Sequence, residues 1–154
     1  SVESLAGLNA RLENEVEMER FRPNIIVNGV EKPFIEDLWD SVYFVDSSTT
    51  SSSSENSLFM SVPFPPCGRC KVPTNDIRTG ELDPKNEPTK TMMDFRAGGH
   101  LGFEYRKLKK DVYFGIHLNA PSPRGKEDLG VGDRVLVNSS SSLKDKEARF
   151  LAAK

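Results

Sequence analysis

At 154 residues, with 36% hydrophobic and 29% charged side chains and a net charge of -2, the chain has the size of one domain carrying loops or tails. That balance offers no basic field for nucleic acid, and no run of 18 apolar residues is present to cross a membrane. Ser1 opens the chain with no leader pattern ahead of the first charged residues, which reads as a piece cut from something larger.

In chain order, residues 1–16 read as a short helix, because Leu5, Leu8 and Leu12 recur on one face and Ser4 stands where a cap would. Arg20 to Val27 read as a strand entered through Pro23, followed by Asn28-Gly29, the best turn signal in the chain. Pro33 to Asp40 read as a turn or helical turn, and Ser41 to Val45 as a strand. Residues 46–57 are almost all polar and read as a flexible insert that cannot bury enough apolar surface to offset its ordering entropy. Leu58 to Val62 resume a strand and lead into Pro65-Pro66-Cys67-Gly68-Arg69-Cys70, which holds both cysteines.

Residues 71–90 read as polar loop, Thr91 to Arg96 as a helix stopped by Gly98-Gly99, and Asp111 to Leu118 as a strand. The basic run at 106–110 reads as a solvated face. Leu129 to Val137 read as a turn followed by a last strand. The domain then spans 1–138, with the Ser-rich insert at 46–57, and 139–154 form a polar tail, helical or disordered. Five or six short strands with little helix predict a mostly-β fold, a β-barrel-like, strongly twisted mixed sheet with a few short helices.

The thiol pair is the leading candidate for chemistry. A guanidinium between two thiols favours the thiolate, the form that binds metals or attacks electrophiles. A closed zinc site needs four ligands, and only His100 and His117 are available besides the pair. A redox pair of the thioredoxin type opens a helix, which Lys71-Val72-Pro73-Thr74 does not. A soft-metal ligand or nucleophile leads, with a purely structural pair as the alternative. Arg20, Arg22 and Asn24 alternate along the predicted strand, so they share one face and suit an oxyanion, or simply a solvated surface. Glu36-Asp37 beside Trp39 read as capping or salt-bridging groups. Spacing of C-x-x-C without a wider framework favours an intracellular, reducing location.

The order Arg20-Phe21-Arg22-Pro23-Asn24-Ile25, Glu36-Asp37-x-Trp39, Pro66-Cys67-x-Arg69-Cys70, Asp76-x-x-Thr79-Gly80 resembles the MOSC domain family. Glu87-Pro88, Phe95-Arg96, Phe114-Gly115 and Val131-Gly132-Asp133-x-Val135 continue the resemblance over roughly residues 3–137. It implies a molybdenum cofactor, with Cys70 as the metal ligand and catalytic residue and Cys67 as the alternative ligand. It further implies Arg22 as an anion clamp, Asn24 as a hydrogen-bonding group, and Arg69 and Thr74 lining the same pocket. The chain looks more like the amidoxime-reducing branch, which implies reduction of N-hydroxylated compounds in mitochondria or cytoplasm. Electrons then come from a b5-type haem protein and its flavin reductase, and an upstream β-rich domain of the same protein completes the pocket. The alternative is the carrier domain of a molybdenum cofactor sulfurase, whose separate aminotransferase-like domain uses pyridoxal phosphate.

Overall fold

The structure, a computed structural model, describes residues 1–45, 57–120 and 129–153. The Ser-rich insert expected at 46–57 lies outside the described residues, except Ser57. Helix α1 runs Val2–Asn9 and is capped by the Ser1 hydroxyl, which accepts from the Ser4 amide at 3.1 Å. It is shorter than expected and Ser4 is not its cap. Ser4 is buried, and its hydroxyl donates to Glu36 at 2.6 Å while accepting from the Phe34 amide.

Strands β1 (Trp39–Val45) and β2 (Ser57–Ser61) pair antiparallel, and β3 (Arg134–Ser139) pairs antiparallel on the other side of β1. The order β2-β1-β3 makes one open three-stranded sheet. Its central strand buries Val42 and Phe44 on one face, as period-two alternation requires. Helix α2 (Thr89–Arg96) forms where expected, two residues longer at its start.

The barrel expected from sequence is not closed among the described residues, because two predicted strands do not ladder. Arg20 to Val27 fail as a strand: Met18–Phe21 wind into a 3-10 turn, and Arg22 follows in the left-handed region at φ 51°. Asp111 to Leu118 make isolated bridges, Val112 with Ala97 and Tyr113 with Gly68, before Gly115 breaks the run at φ 75°. Gly29 has a positive φ, but no hairpin closes there; its amide donates to Glu3 at 2.7 Å.

The expected tail resolves into helix α3 (Leu143–Ala152), N-capped by Ser142, whose hydroxyl accepts from the Asp145 amide. It is docked rather than trailing. The Lys146 ammonium is buried and donates to the carbonyls of Asp37 and Trp39, and Glu147 accepts from the amides of Glu104 and Tyr105. Thus α3 fixes both the start of β1 and the loop after α2.

Burial falls into two clusters. Leu8, Val16, Phe21, Met92, Val112 and Phe114 form one, and Trp39, Val42, Phe44 and Val62 form the other beneath the sheet. The basic run at 106–110 is mainly exposed, as expected, and lies in a turn packed close to Gly98. A Cβ on Gly98 would sit 2.8 Å from the Phe103 ring and meet the Leu108 carbonyl, a backbone atom that cannot swing aside. Gly98→Ala is therefore expected to cost at least ~1–3 kcal/mol by overpacking, read from urea unfolding. Gly99→Ala, whose Cβ would have its nearest neighbour at 3.7 Å, is the control expected to change little.

Candidate functional site

Where the two clusters face each other lies an open cleft of about 470 Å³. Its floor is apolar, built from Trp39, Val42 and Phe44 of the sheet. Its polar groups Arg22, Asn24, Cys67, Arg69 and His117 come from three segments: the turn at 21–24, the cysteine loop, and 114–118.

The cysteine loop is extended because it borrows partners from the segment opposite. The Cys67 amide donates to the Gly115 carbonyl at 2.8 Å, the Phe114 amide to the Cys67 carbonyl at 3.1 Å, and the Arg69 amide to the Val112 carbonyl at 2.7 Å. Extended backbone sends alternate side chains to opposite sides. Cys67 and Arg69 accordingly both line the cleft, while a Cβ on Gly68 would face the Tyr113 ring at 3.7 Å. Cys70, next in the alternation, is exposed and is not part of the cleft lining. Arg69 donates to the Cys67 sulfur at 3.1 Å and to the Phe21 carbonyl.

On the opposite rim, Arg22 holds φ 51° and ψ 50°, a conformation that costs a non-glycine residue about 1–3 kcal/mol. Its amide donates to Glu19 at 2.9 Å, and its exposed side chain has no hydrogen-bond or ion-pair partner among the described residues. A left-handed backbone thus carries an exposed, unpaired guanidinium at the cleft rim, a group able to meet an oxyanion. Asn24 joins it on the cleft rim.

The sequence expectation of Arg20, Arg22 and Asn24 on one face therefore needs correcting. Arg20 points into a brace, with its guanidinium 3.3 Å from Asp76 and 3.5 Å from Glu17. Asp76 in turn accepts from the Arg78 and Thr79 amides, which closes the turn carrying Gly80. Thr74 also departs from expectation. It is 1% exposed, donates to the Lys71 carbonyl at 2.6 Å, and stays outside the cleft lining, closing the 3-10 turn Val72–Thr74.

Sequence reasoning missed His117 and the apolar floor. His117 lines the cleft beside Ile116 and Leu118; the sequence marked it only as one of two histidines too few for a zinc site and as part of a predicted strand. Glu36 also borders the cleft but is buried and committed to Ser4, so it supports the wall rather than meeting a ligand.

Chemically, the rim offers the unpaired cation of Arg22 for an anion and soft sulfur at the cysteine loop for a thiophilic metal. No three His, Cys, Asp or Glu side chains cluster among the described residues. A metal held at the cysteine loop would need further ligands from outside the described residues. A guanidinium, a side-chain amide and a thiol along one cleft are the donor types that would suit a metal-bearing, phosphorylated organic group.

Residues 1–136 match the family model described as the MOSC domain. The chain is 39% identical over 132 residues to mitochondrial amidoxime reducing component 2 of Macaca fascicularis, covering 86% of this chain and 34% of that protein. Its likeness to the Homo sapiens protein of the same name is 38% over 132 residues, with the same coverage of each chain. The molybdenum cofactor sulfurase of Arabidopsis thaliana is 29% identical over 146 residues, 88% of this chain and 15% of that protein. The chain thus spans about a third or less of the relatives it matches.

Proposed function

This chain belongs to the MOSC domain family, and from that membership we propose that it is the cofactor-holding part of a molybdenum-dependent reductase of N-hydroxylated compounds. The observation that carries the reading is the pairing, across one cleft, of an unpartnered Arg22 with a two-cysteine loop. The relatives' names supply the cofactor class and the reaction class.

Each residue has a role in its own right. Arg22 grips the cofactor's phosphate, since a guanidinium fork matches an oxyanion bidentately. Asn24 hydrogen-bonds the pterin edge. Cys70 would supply the thiolate to molybdenum, its side chain being exposed and free of a disulfide. Cys67 is the second reading, favoured by its place in the cleft and by the cation beside it. The cofactor, when bound, supplies the two electrons that cleave an N–O bond, with two protons leaving an N–H group and water. The apolar floor of Trp39, Val42 and Phe44 would suit the face of a flat organic ring.

A b5-type haem protein and its flavin reductase are the proposed electron source, an upstream domain of the same protein the proposed completion of the pocket, and mitochondria the proposed compartment. Among the described residues no helix is long and apolar enough to cross a membrane. A cofactor or sulfur carrier is the second functional reading, favoured by the coverage of this chain in the Arabidopsis sulfurase match.

The test is molybdenum and pterin analysis of the full-length protein, with amidoxime-dependent oxidation of a reduced haem donor measured beside it. About one metal and one pterin per chain with turnover is the expected result. Cofactor without turnover would transfer the site to a carrier, and absence of both would leave a structural domain.

A further inference from the structure

The Arg69 guanidinium sits between two elements rather than facing an empty space. One nitrogen donates to the Cys67 sulfur at 3.1 Å, and the other donates to the Phe21 carbonyl. Its carbon lies 5.4 Å from the centre of the Phe21 ring, which stacks on Phe114 at 4.0 Å. Both terminal nitrogens thus donate to protein, one to the cysteine loop and one to the turn at 21–22.

The Phe21 carbonyl belongs to the same planar peptide as the Arg22 amide. That amide donates to Glu19 at 2.9 Å, so the plane is held at both edges. A peptide plane clamped at its N–H and its C=O cannot rotate, and its orientation sets the ψ of Phe21 and the φ of Arg22. The left-handed twist at Arg22, on the cleft rim, is therefore held from the cysteine loop.

We propose that Arg69 is a positioning residue, which joins the cysteine loop to the turn bearing Arg22 by gripping Cys67 and the Phe21–Arg22 peptide instead of contacting the ligand. This rests on the cofactor reading above for its purpose, but not for its geometry. It assigns the two clefted arginines different work: Arg22 meets the anion, and Arg69 sets the distance between the anion clamp and the thiol. A lysine cannot replace it, because one ammonium on a flexible stem does not span two acceptors as a planar fork does.

The experiment compares Arg69→Lys and Arg69→Ala with the wild type in the full-length protein. Backbone amide resonances are followed in the cofactor-free state, and pterin content after expression with cofactor supply. Both variants are expected to shift the Arg22 and Asn24 amide resonances while those of β1 stay in place. Pterin content is expected to fall about tenfold or more in both, the range seen when a supporting hydrogen-bond partner is removed. Should Arg69→Ala not fold, Arg69→Lys carries the test through the same two readouts. Unmoved Arg22 and Asn24 resonances, or full pterin content in Arg69→Lys, overturns the proposal. A wild type without pterin would defeat the cofactor reading, while the resonance shifts would still judge the brace on their own.

Discussion

Cys70→Ala is expected to strip the full-length protein of molybdenum, by more than about tenfold in retained metal, a loss exceeding ~1.4 kcal/mol of binding. Cys67→Ala is expected to keep it. The contrast arises because a soft metal in a single-sulfur site loses its only protein ligand when that sulfur goes, and no other His, Cys, Asp or Glu cluster stands ready among the described residues. Cys67 has another engagement, as the acceptor of the Arg69 guanidinium at 3.1 Å. Elemental analysis of the purified variants reads the result directly. Metal lost only in Cys67→Ala would move the ligand one alternation inward, to the sulfur that lines the cleft. Retention in both variants would sink the thiolate assignment altogether.

Much of the sheet was legible because its signals are local. The apolar run Val42-Tyr43-Phe44-Val45 of β1 and the Gly130-x-Gly132-Asp133 turn ahead of β3 announce themselves in a few neighbouring residues. The segment from Arg20 to Val27 was not legible, since its β-branched residues suit a strand while tertiary contacts wind its start into a turn. Arg69, forty-eight positions from Phe21, supplies one of those contacts, and no local pattern encodes it. The same limit explains the site. Arg22, Asn24 and the cysteine loop were visible as chemistry, but which cysteine faces the cleft depends on the pairing of 67–69 with 112–115. Thr74 was a threonine near the right motif whose hydroxyl is consumed by its own turn.

The Glu36-Asp37 pair was read as salt-bridging, and its partner lies far along the chain. Asp37 and Arg96 approach to 2.7 Å with side chains only 5% and 4% exposed. Arg96 also donates to the Tyr113 carbonyl at 2.8 Å and lies 4.3 Å over the Phe34 ring, so it ties β1's entry to α2 and to the strand-like segment behind the cysteine loop. Burial pushes the Asp37 carboxyl from 3.8 up to about 6, against the pull of Arg96, and Glu36 adds to the rise. Its Oδ1 has no hydrogen-bond partner among the described residues, which fits a carboxylate short of solvation.

The sign follows from proton counting. Between about pH 4 and 6 the folded chain holds a proton on Asp37 that the unfolded chain has released. The stability from this group is full below its unfolded value and is lost as pH rises through the folded one. Removing Arg96 takes away the opposing charge and leaves an uncompensated buried carboxylate wherever Asp37 is ionised. Arg96→Met is therefore expected to cost ~3–5 kcal/mol at pH 8, and clearly less at pH 5, where Asp37 can keep its proton. Urea unfolding at the two pH values measures both. Asp37→Asn placed in the Arg96→Met background is expected to recover part of the loss at pH 8 and little at pH 5. A penalty equal at both pH values would mean that Arg96 acts through its packing on Phe34 and its bond to Tyr113, and not through the charge it holds against Asp37.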